Sequence, residues 1–336
     1  MEIDVILDTR ASAGQLAELG QLAEKNGIRG VWVSSLLDSR DPFTNLSVLA
    51  QSTSRLKLGP VAVNPYDMHP VRIASALLTL NELASGRARI VIGGGGEALD
   101  ALGIKPQRRV RVVAECVEII KAAATGQPVS LSGEIFEVSK LCLNWLQAKA
   151  PPIFVGASMQ QMLGMSARVA DGIMMSDMPP TLAADAIATL DRGLAKYSRS
   201  RPEFQTNCFA AWHVYEDLQE ARREARRWLV LRGIFRPWLL GEFLTGKDVD
   251  LVMRSAPAFW QAFNTQAHIV EGVPDNVLDA LVDNLTFTAS VQELDQKIDK
   301  LREYSAAGLS GMSLRLYHDP AESIRLLGER VLPALR

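Results

Sequence analysis

The chain has 336 residues, 48% of them hydrophobic, with 36 Lys+Arg against 38 Asp+Glu. That balance excludes an electrostatic case for nucleic acid or an anionic membrane as partner, and the isolated Cys116, Cys142 and Cys208 exclude a disulfide framework or a paired-cysteine metal site. No basic start precedes an apolar signal core and no uncharged apolar run reaches the ~18 residues of a membrane span, so a soluble, cytoplasmic protein is expected.

Ile3–Leu7 reads as a strand ending at Asp8, and Ala13–Lys25 as an amphipathic helix stopped by Asn26-Gly27. Gly30–Ser34 (GVWVS) is a second strand, followed by a helix from Thr44 to about Thr53. Leu56–Val63 is an apolar, β-branched third strand. It runs into Asn64-Pro65-Tyr66-Asp67, a turn, since proline fixes its own φ and pushes Asn64 out of the α region. Val71–Ala84 has Ile73, Leu77, Leu80 and Leu83 on one helical face and stops at Ser85-Gly86. Arg87–Ile92 is the fourth strand and ends in Gly93–Gly96. A helix (Val110–Ala124) and a hairpin (Val129–Leu131, Ile135–Val138) follow. Strand five, Ile153–Val155, opens at Gly156-Ala157-Ser158 into helix Met159–Ala170. Gly172–Met175 and Cys208–Tyr215 are strands six and seven, with helices Leu182–Lys196 and Leu218–Leu231 after them. A long segment, 232–284, precedes helix Val291–Ala306, strand eight (Met312–Leu316) and a closing helix, Ala321–Val331. Strand-then-helix recurring eight times is the arithmetic of an α/β fold, the (β/α)8 TIM barrel. The expectation is one domain over 1–336 with a helical insertion, 232–284, before the last strand, acting as a substrate lid.

Barrel ligands gather at the carboxyl ends of the strands. Those ends here are Asp8, Ser34-Ser35, Val61–Asn64, Gly93–Glu97, Gly156–Ser158 and Met175–Asp177. Four consecutive glycines let backbone N–H groups approach a phosphate or cofactor; the plain alternative is a flexible loop. Read to Ala98 they also form a weak dinucleotide fingerprint, after the fourth strand rather than the first and without the acidic residue that motif needs. Gly156–Ser158 can hold a phosphate at a helix start, or Ser158 can serve as an ordinary N-cap. Glu97 is either a proton donor whose pKa an apolar cleft raises or a solvated acid favoured by a helix dipole. His69, just before Pro70, reads as a helix cap and His213 as structural; no histidine has metal-ligand spacing, and no metal is expected. Glu220–Arg227 reads as a solvated helix face with Glu220–Arg223 and Glu224–Arg227 pairs. Aromatic residues of the insertion, among them Phe235, Trp238, Phe259 and Trp260, either line a lid or pack it onto the barrel.

The runs LGPVAVNPYDMHP, TLNELASGRARIVIGGGGEALDALG, PPIFVGASMQQML and ARVADGIM, with FTASVQELDQKIDKLREYSAAG and VLPAL near the end, make the chain similar to the bacterial luciferase-like superfamily. It most resembles the F420-dependent branch, which includes methylenetetrahydromethanopterin reductase and F420-dependent glucose-6-phosphate dehydrogenase. The resemblance implies a TIM-barrel oxidoreductase that exchanges hydride between the deazaflavin coenzyme F420 and a small organic substrate. It also implies a homodimer or larger homo-oligomer, and a non-prolyl cis peptide after strand three, at Val61–Ala62. Ser35, Val61, Ala62, Asn64, Gly94, Gly95, Gly96, Gly156, Ala157 and Ser158 become the expected coenzyme contacts, and Glu97 the catalytic proton donor. Many members carry Asp-His after strand two, where this chain has Ser35-Leu36. A leucine moves no protons. Either Glu97 then acts alone or the reaction differs, and a non-catalytic flavin-binding relative stays an alternative, as does an FMN-dependent luciferase-like monooxygenase.

Overall fold

A computed structural model describes residues 1–96 and 99–336 with their side chains, and residues 97 and 98 by backbone alone. The strands are β1 (Glu2–Leu7), β2 (Gly30–Ser34), β3 (Lys57–Val61), β4 (Ile90–Ile92), β5 (Val129–Ser132), β6 (Glu137–Leu141), β7 (Ile153–Gly156), β8 (Gly172–Ser176), β9 (Gln205–Tyr215), β10 (Thr286–Ser290) and β11 (Gly311–Leu316). Eight of them run parallel in the order β3-β2-β1-β11-β9-β8-β7-β4. Bridges Leu58–Ala88 and Val63–Ile92 join the two ends. The sheet is therefore a near-closed barrel, as the strand–helix count implies.

Around it lie α1 (Ala13–Lys25), α2 (Pro42–Ser52), α3 (Pro70–Leu83), α4 (Arg109–Ala123), α5 (Gln160–Val169), α6 (Pro180–Lys196) and α7 (Leu218–Arg227). The insertion adds α8 (Pro237–Leu240), α9 (Gly246–Arg254), α10 (Ala256–Thr265) and α11 (Asp275–Leu285), and α12 (Leu294–Ala306) and α13 (Pro320–Leu326) follow β10 and β11. Among the described residues no helix is long and apolar enough to cross a membrane.

Successive strand residues point to opposite faces, and the core divides accordingly. Val5, Val31, Val33, Leu58, Ile90, Val155, Ile173 and Leu314 pack outward against the helices. Ile6, Trp32, Val61, Val91, Phe154 and Met174 fill the barrel's interior. Below them is a charged layer. Fully buried Asp4 pairs with Arg29 Nη2 at 2.6 Å and Arg89 Nη1 at 2.8 Å, and accepts from Trp32 Nε1 at 3.0 Å. Burial alone would raise its pKa, but Arg89 and Arg29 hold it down at about 2.

Two expectations need correction. The insertion does not lead straight into a helix: β10 lies between, paired with the far half of β9 from Thr286–Ala211 to Ser290–Tyr215. Ala211 and Trp212 pair with β11 as well, so β10 and β11 flank β9 on opposite sides. Its Thr-Phe-Thr-Ala-Ser sequence looks too polar for a core strand. The strand is nonetheless fully buried because Thr286 Oγ1 donates to Val282 O at 2.6 Å and bonds Thr288 Oγ1 at 2.6 Å. Nor is α7 merely a solvated face. Glu224–Arg227 forms at 2.9 Å, but Arg222 and Arg226 cross to Asp279, Asp283 and Asp275 of α11, clamping the insertion to the barrel.

Candidate active site

The carboxyl ends of β3, β4 and β7 meet backbone to backbone. The Val61–Ala62 peptide is cis, as expected, and both side chains pack with the barrel-interior cluster. Val63 N donates to Val91 O at 2.9 Å, and Gly93 N donates to Val63 O at 2.8 Å. A Cβ at Gly93 would lie 3.1 Å from that of Ala62, and one at Gly156 would lie 3.9 Å from the Gly93 Cα. Ser35 joins from β2, its N–H donating to Val61 O at 2.9 Å. On the next strand Ala157 N donates to Met174 O at 3.1 Å. The result is a floor of bare backbone.

The glycine loop then turns toward two helix starts. A methyl group at Gly94 would touch Met162 Cε of α5 at 3.5 Å and Arg109 Cβ of α4 at 3.6 Å. Gly95 has a φ of +73°, which its neighbours could hold only with glycine there, and Gly96 precedes the 3-10 turn Glu97–Leu102. Ser158 is not the cap of α5. Met159 holds that position with no side-chain hydrogen bond, so the first N–H groups of α5 stay open beside Gly156–Ser158, an arrangement suited to an anion. Arg109 stands exposed at the same place. Asn64 spends its side chain on its own turn: Oδ1 accepts from Tyr66 N at 3.0 Å, and Nδ2 donates to Asp67 at 2.8 Å. The side chain of Glu97, the expected proton donor, lies outside the described residues.

Elsewhere round the mouth the groups are charged. Arg315 of β11 donates from Nη1 to Ser34 Oγ at 3.3 Å and reaches Asp8 Oδ2 at 3.5 Å. Two strands round from it, Arg232 at the start of the insertion pairs with Asp177 at 3.1 Å, with both side chains almost fully buried, and covers the Phe209 ring at 4.8 Å. Arg236 donates to Ser176 O at 3.3 Å. These three arginines and Arg109 escaped the sequence reading because no local spacing marks them. His213 is buried and stacks on Tyr317 at 4.7 Å; burial, then Arg232, lowers its pKa to about 3, so it stands neutral. Its Nδ1 lies 3.2 Å from Tyr215 Oη, and its Nε2 has no partner among the described residues. His69 caps α3 as expected, Nδ1 accepting from Val71 N at 3.2 Å.

From Tyr317 an aromatic wall continues through Trp228 (4.6 Å) and Phe263 (5.4 Å) into the insertion. Phe259 is buried in an apolar cluster that the insertion shares with Ala225 and Leu229, whereas Trp238 and Trp260 are exposed. Beyond the mouth, a cleft of about 310 Å³ is lined by Glu216, Asp217, Glu220, Asp319 and Glu322. No cluster able to hold a metal occurs among the described residues.

Comparison with known proteins gives a consistent set of likenesses. A model of the family described as luciferase-like monooxygenase matches residues 1–311. The 5,10-methylenetetrahydromethanopterin reductase of Archaeoglobus fulgidus is 31% identical over 322 residues, 94% of each chain. The F420-dependent glucose-6-phosphate dehydrogenase of Nakamurella multipartita is 26% identical over 96% of this chain and 92% of its own. In fold, the solved coenzyme F420 dependent tetrahydromethanopterin reductase from Methanopyrus kandleri matches with a TM-score of 0.82 at 21% identity, covering 100% of this chain and 99% of that one.

Proposed function

The chain belongs to the luciferase-like monooxygenase family and is an oxidoreductase, and from that premise we propose that it passes hydride between the deazaflavin coenzyme F420 and a small organic substrate. The observation that carries this reading is the bare floor where β3, β4 and β7 meet, beside an uncapped helix start. A flat tricyclic ring needs a face free of side chains, and a Cβ at Gly93 would crowd Ala62 there. A phosphorylated tail needs N–H donors and positive charge, which the first turn of α5 and Arg109 offer.

In this reading Val61, Ala62 and Ser35 border the ring. Gly94, Gly95, Gly96, Gly156, Ala157 and Ser158 take the tail, and Asn64 shapes the turn that supports them. When bound, the coenzyme supplies the hydride chemistry at its ring. Glu97 holds and moves the accompanying proton, and the insertion 232–284 excludes water as a lid over a single barrel domain. A homodimer or larger assembly in the cytoplasm completes the proposal; its free cysteines, Cys142 exposed among them, suit a reducing compartment.

The family's description as monooxygenases favours one second reading, reduced FMN with oxygen. Absorbance titration of the purified chain with F420 and, separately, with FMN decides between them. Saturable F420 binding, with bleaching of the bound coenzyme when a hydride donor is added, is the expected result. Binding of FMN alone moves the protein to the second reading, and binding of neither ends both.

A further inference from the structure

Arg315 is a cation of the barrel mouth that the coenzyme reading does not use. β11 stands four places from β4 in either direction round the ring of strands. Arg315 therefore enters the mouth directly opposite the glycine floor. Its side chain is 8% exposed yet loosely held: the contacts to Ser34 Oγ and Asp8 are 3.3 and 3.5 Å, and the Tyr317 ring lies 5.4 Å from Cζ. A guanidinium has five N–H donors in a planar fork. No Arg315 nitrogen is both buried and unpaired among the described residues, so the donors left over border open space. Asp8 is only partly committed to this arginine, since its Oδ1 also accepts from Arg10 N at 2.9 Å.

We propose that Arg315 is the substrate-specifying residue of this enzyme, holding the carboxylate of a small organic acid above the coenzyme ring. Two further observations agree. The Ser34 that it touches immediately precedes Ser35-Leu36, the pair that stands where Asp-His is usual in the resemblance, and Leu36 is exposed. A cation thus occupies the side of the mouth from which the proton-moving imidazole is missing. Secondly, on the side of the mouth away from the glycine loop, three guanidinium groups (Arg232, Arg236 and Arg315) face two carboxylates. Asp177 answers Arg232 and Asp8 answers Arg315, but Arg236 has a carbonyl oxygen as its hydrogen-bond partner and no ion pair among the described residues. Such a surplus draws in anions, and a planar fork matches a planar carboxylate at two points.

The placement above the ring rests on the F420 reading; the anion preference does not. Calorimetric titration of the full chain, with and without F420, uses acetate and benzoate as probes, acetamide and benzamide as neutral isosteres, and inorganic phosphate as the competing anion. The carboxylates are expected to bind at least tenfold more tightly than the amides and than phosphate. Arg315→Met should remove that preference while leaving the F420 titration unchanged. If Arg315→Met does not fold because Asp8 loses its cation, the pair Asp8→Asn with Arg315→Met makes the same test without the orphaned charge. Carboxylates binding no better than amides, phosphate binding best, or a folded variant that keeps the preference would each overturn the assignment. A chain that prefers carboxylates through Arg315 but never binds F420 would retain the assignment and lose the coenzyme.

Discussion

Gly95 shows how little freedom the Gly93–Gly96 loop has. With φ at +73°, an alanine Cβ there would fall 2.5 Å from Leu99 Cδ1 and 3.2 Å from the Tyr66 ring. Gly95→Ala should therefore cost about 1–2 kcal/mol from the left-handed backbone alone, and relief of the contacts would move the loop. F420 affinity is expected to fall at least as much as stability, which paired titration and urea unfolding would reveal; intact affinity would remove the loop from the coenzyme site. Glu97 makes a different kind of claim. A proton donor contributes on the order of 10²–10⁴ in rate, so Glu97→Gln should cut kcat by that amount with the coenzyme Kd nearly unchanged. Equal turnover would dismiss the carboxyl group from catalysis. The two substitutions are two positions apart, and they separate holding the coenzyme from using it.

Strands were legible where their residues are apolar and β-branched between Gly or Pro signals, as in β2, β3 and β4. β10 was not, because its threonines satisfy one another and a nearby carbonyl, a pairing that only the folded chain creates. That backbone comes close at the end of β4 was legible for the same local reason, since four glycines leave no side chain there; whether the loop holds a ligand was not. Arg315, Arg232 and Arg109 were not legible, since each gains its meaning from an element distant in sequence. Asp4 belongs to this second group. A lone carboxylate in β1 looks like an alternation fault until Arg29 and Arg89 arrive from β2's approach and β4's. Removing its charge leaves Arg89 buried without an anion, so Asp4→Asn should destabilise the barrel by about 3–5 kcal/mol. Its pH signature has a fixed sign. The folded carboxyl group titrates at about 2 against an ordinary 3.8, so its contribution is complete above 3.8 and disappears as pH falls through 2. Urea midpoints between pH 5 and pH 2 should fall more steeply for the native chain than for Asp4→Asn.

Taken as a ring, the mouth has three sectors: backbone at β3, β4 and β7; Arg315 with Asp8 and Ser34 at β11, β1 and β2; and the root of the insertion at β8 and β9. The third sector joins the barrel to a segment whose apolar cluster, with Leu239, Phe259, Leu278 and Leu281, also takes in Ala225 and Leu229 at and just after α7. The ties that cross between them include the arginines of α7 on α11, the Arg236–Ser176 hydrogen bond and the Arg232–Asp177 pair. The α7 pairs have carboxylates open to solvent and contribute little each, while Ala225 of α7 and the adjoining Leu229 pack into the insertion's apolar cluster. Arg232 is different, since it is buried, paired at 3.1 Å and set over Phe209 inside the mouth. Arg232→Met strands Asp177 in an apolar site and should cost about 3–5 kcal/mol, whereas adding Asp177→Asn should restore most of that. If the insertion is a lid, the loss falls on it first. Hydrogen exchange should then quicken across 237–285 while the barrel strands stay protected, and the KM for substrate should rise more than the Kd for F420. Uniform loss of protection over barrel and insertion alike would mean that the segment is part of the core and does not move as a lid.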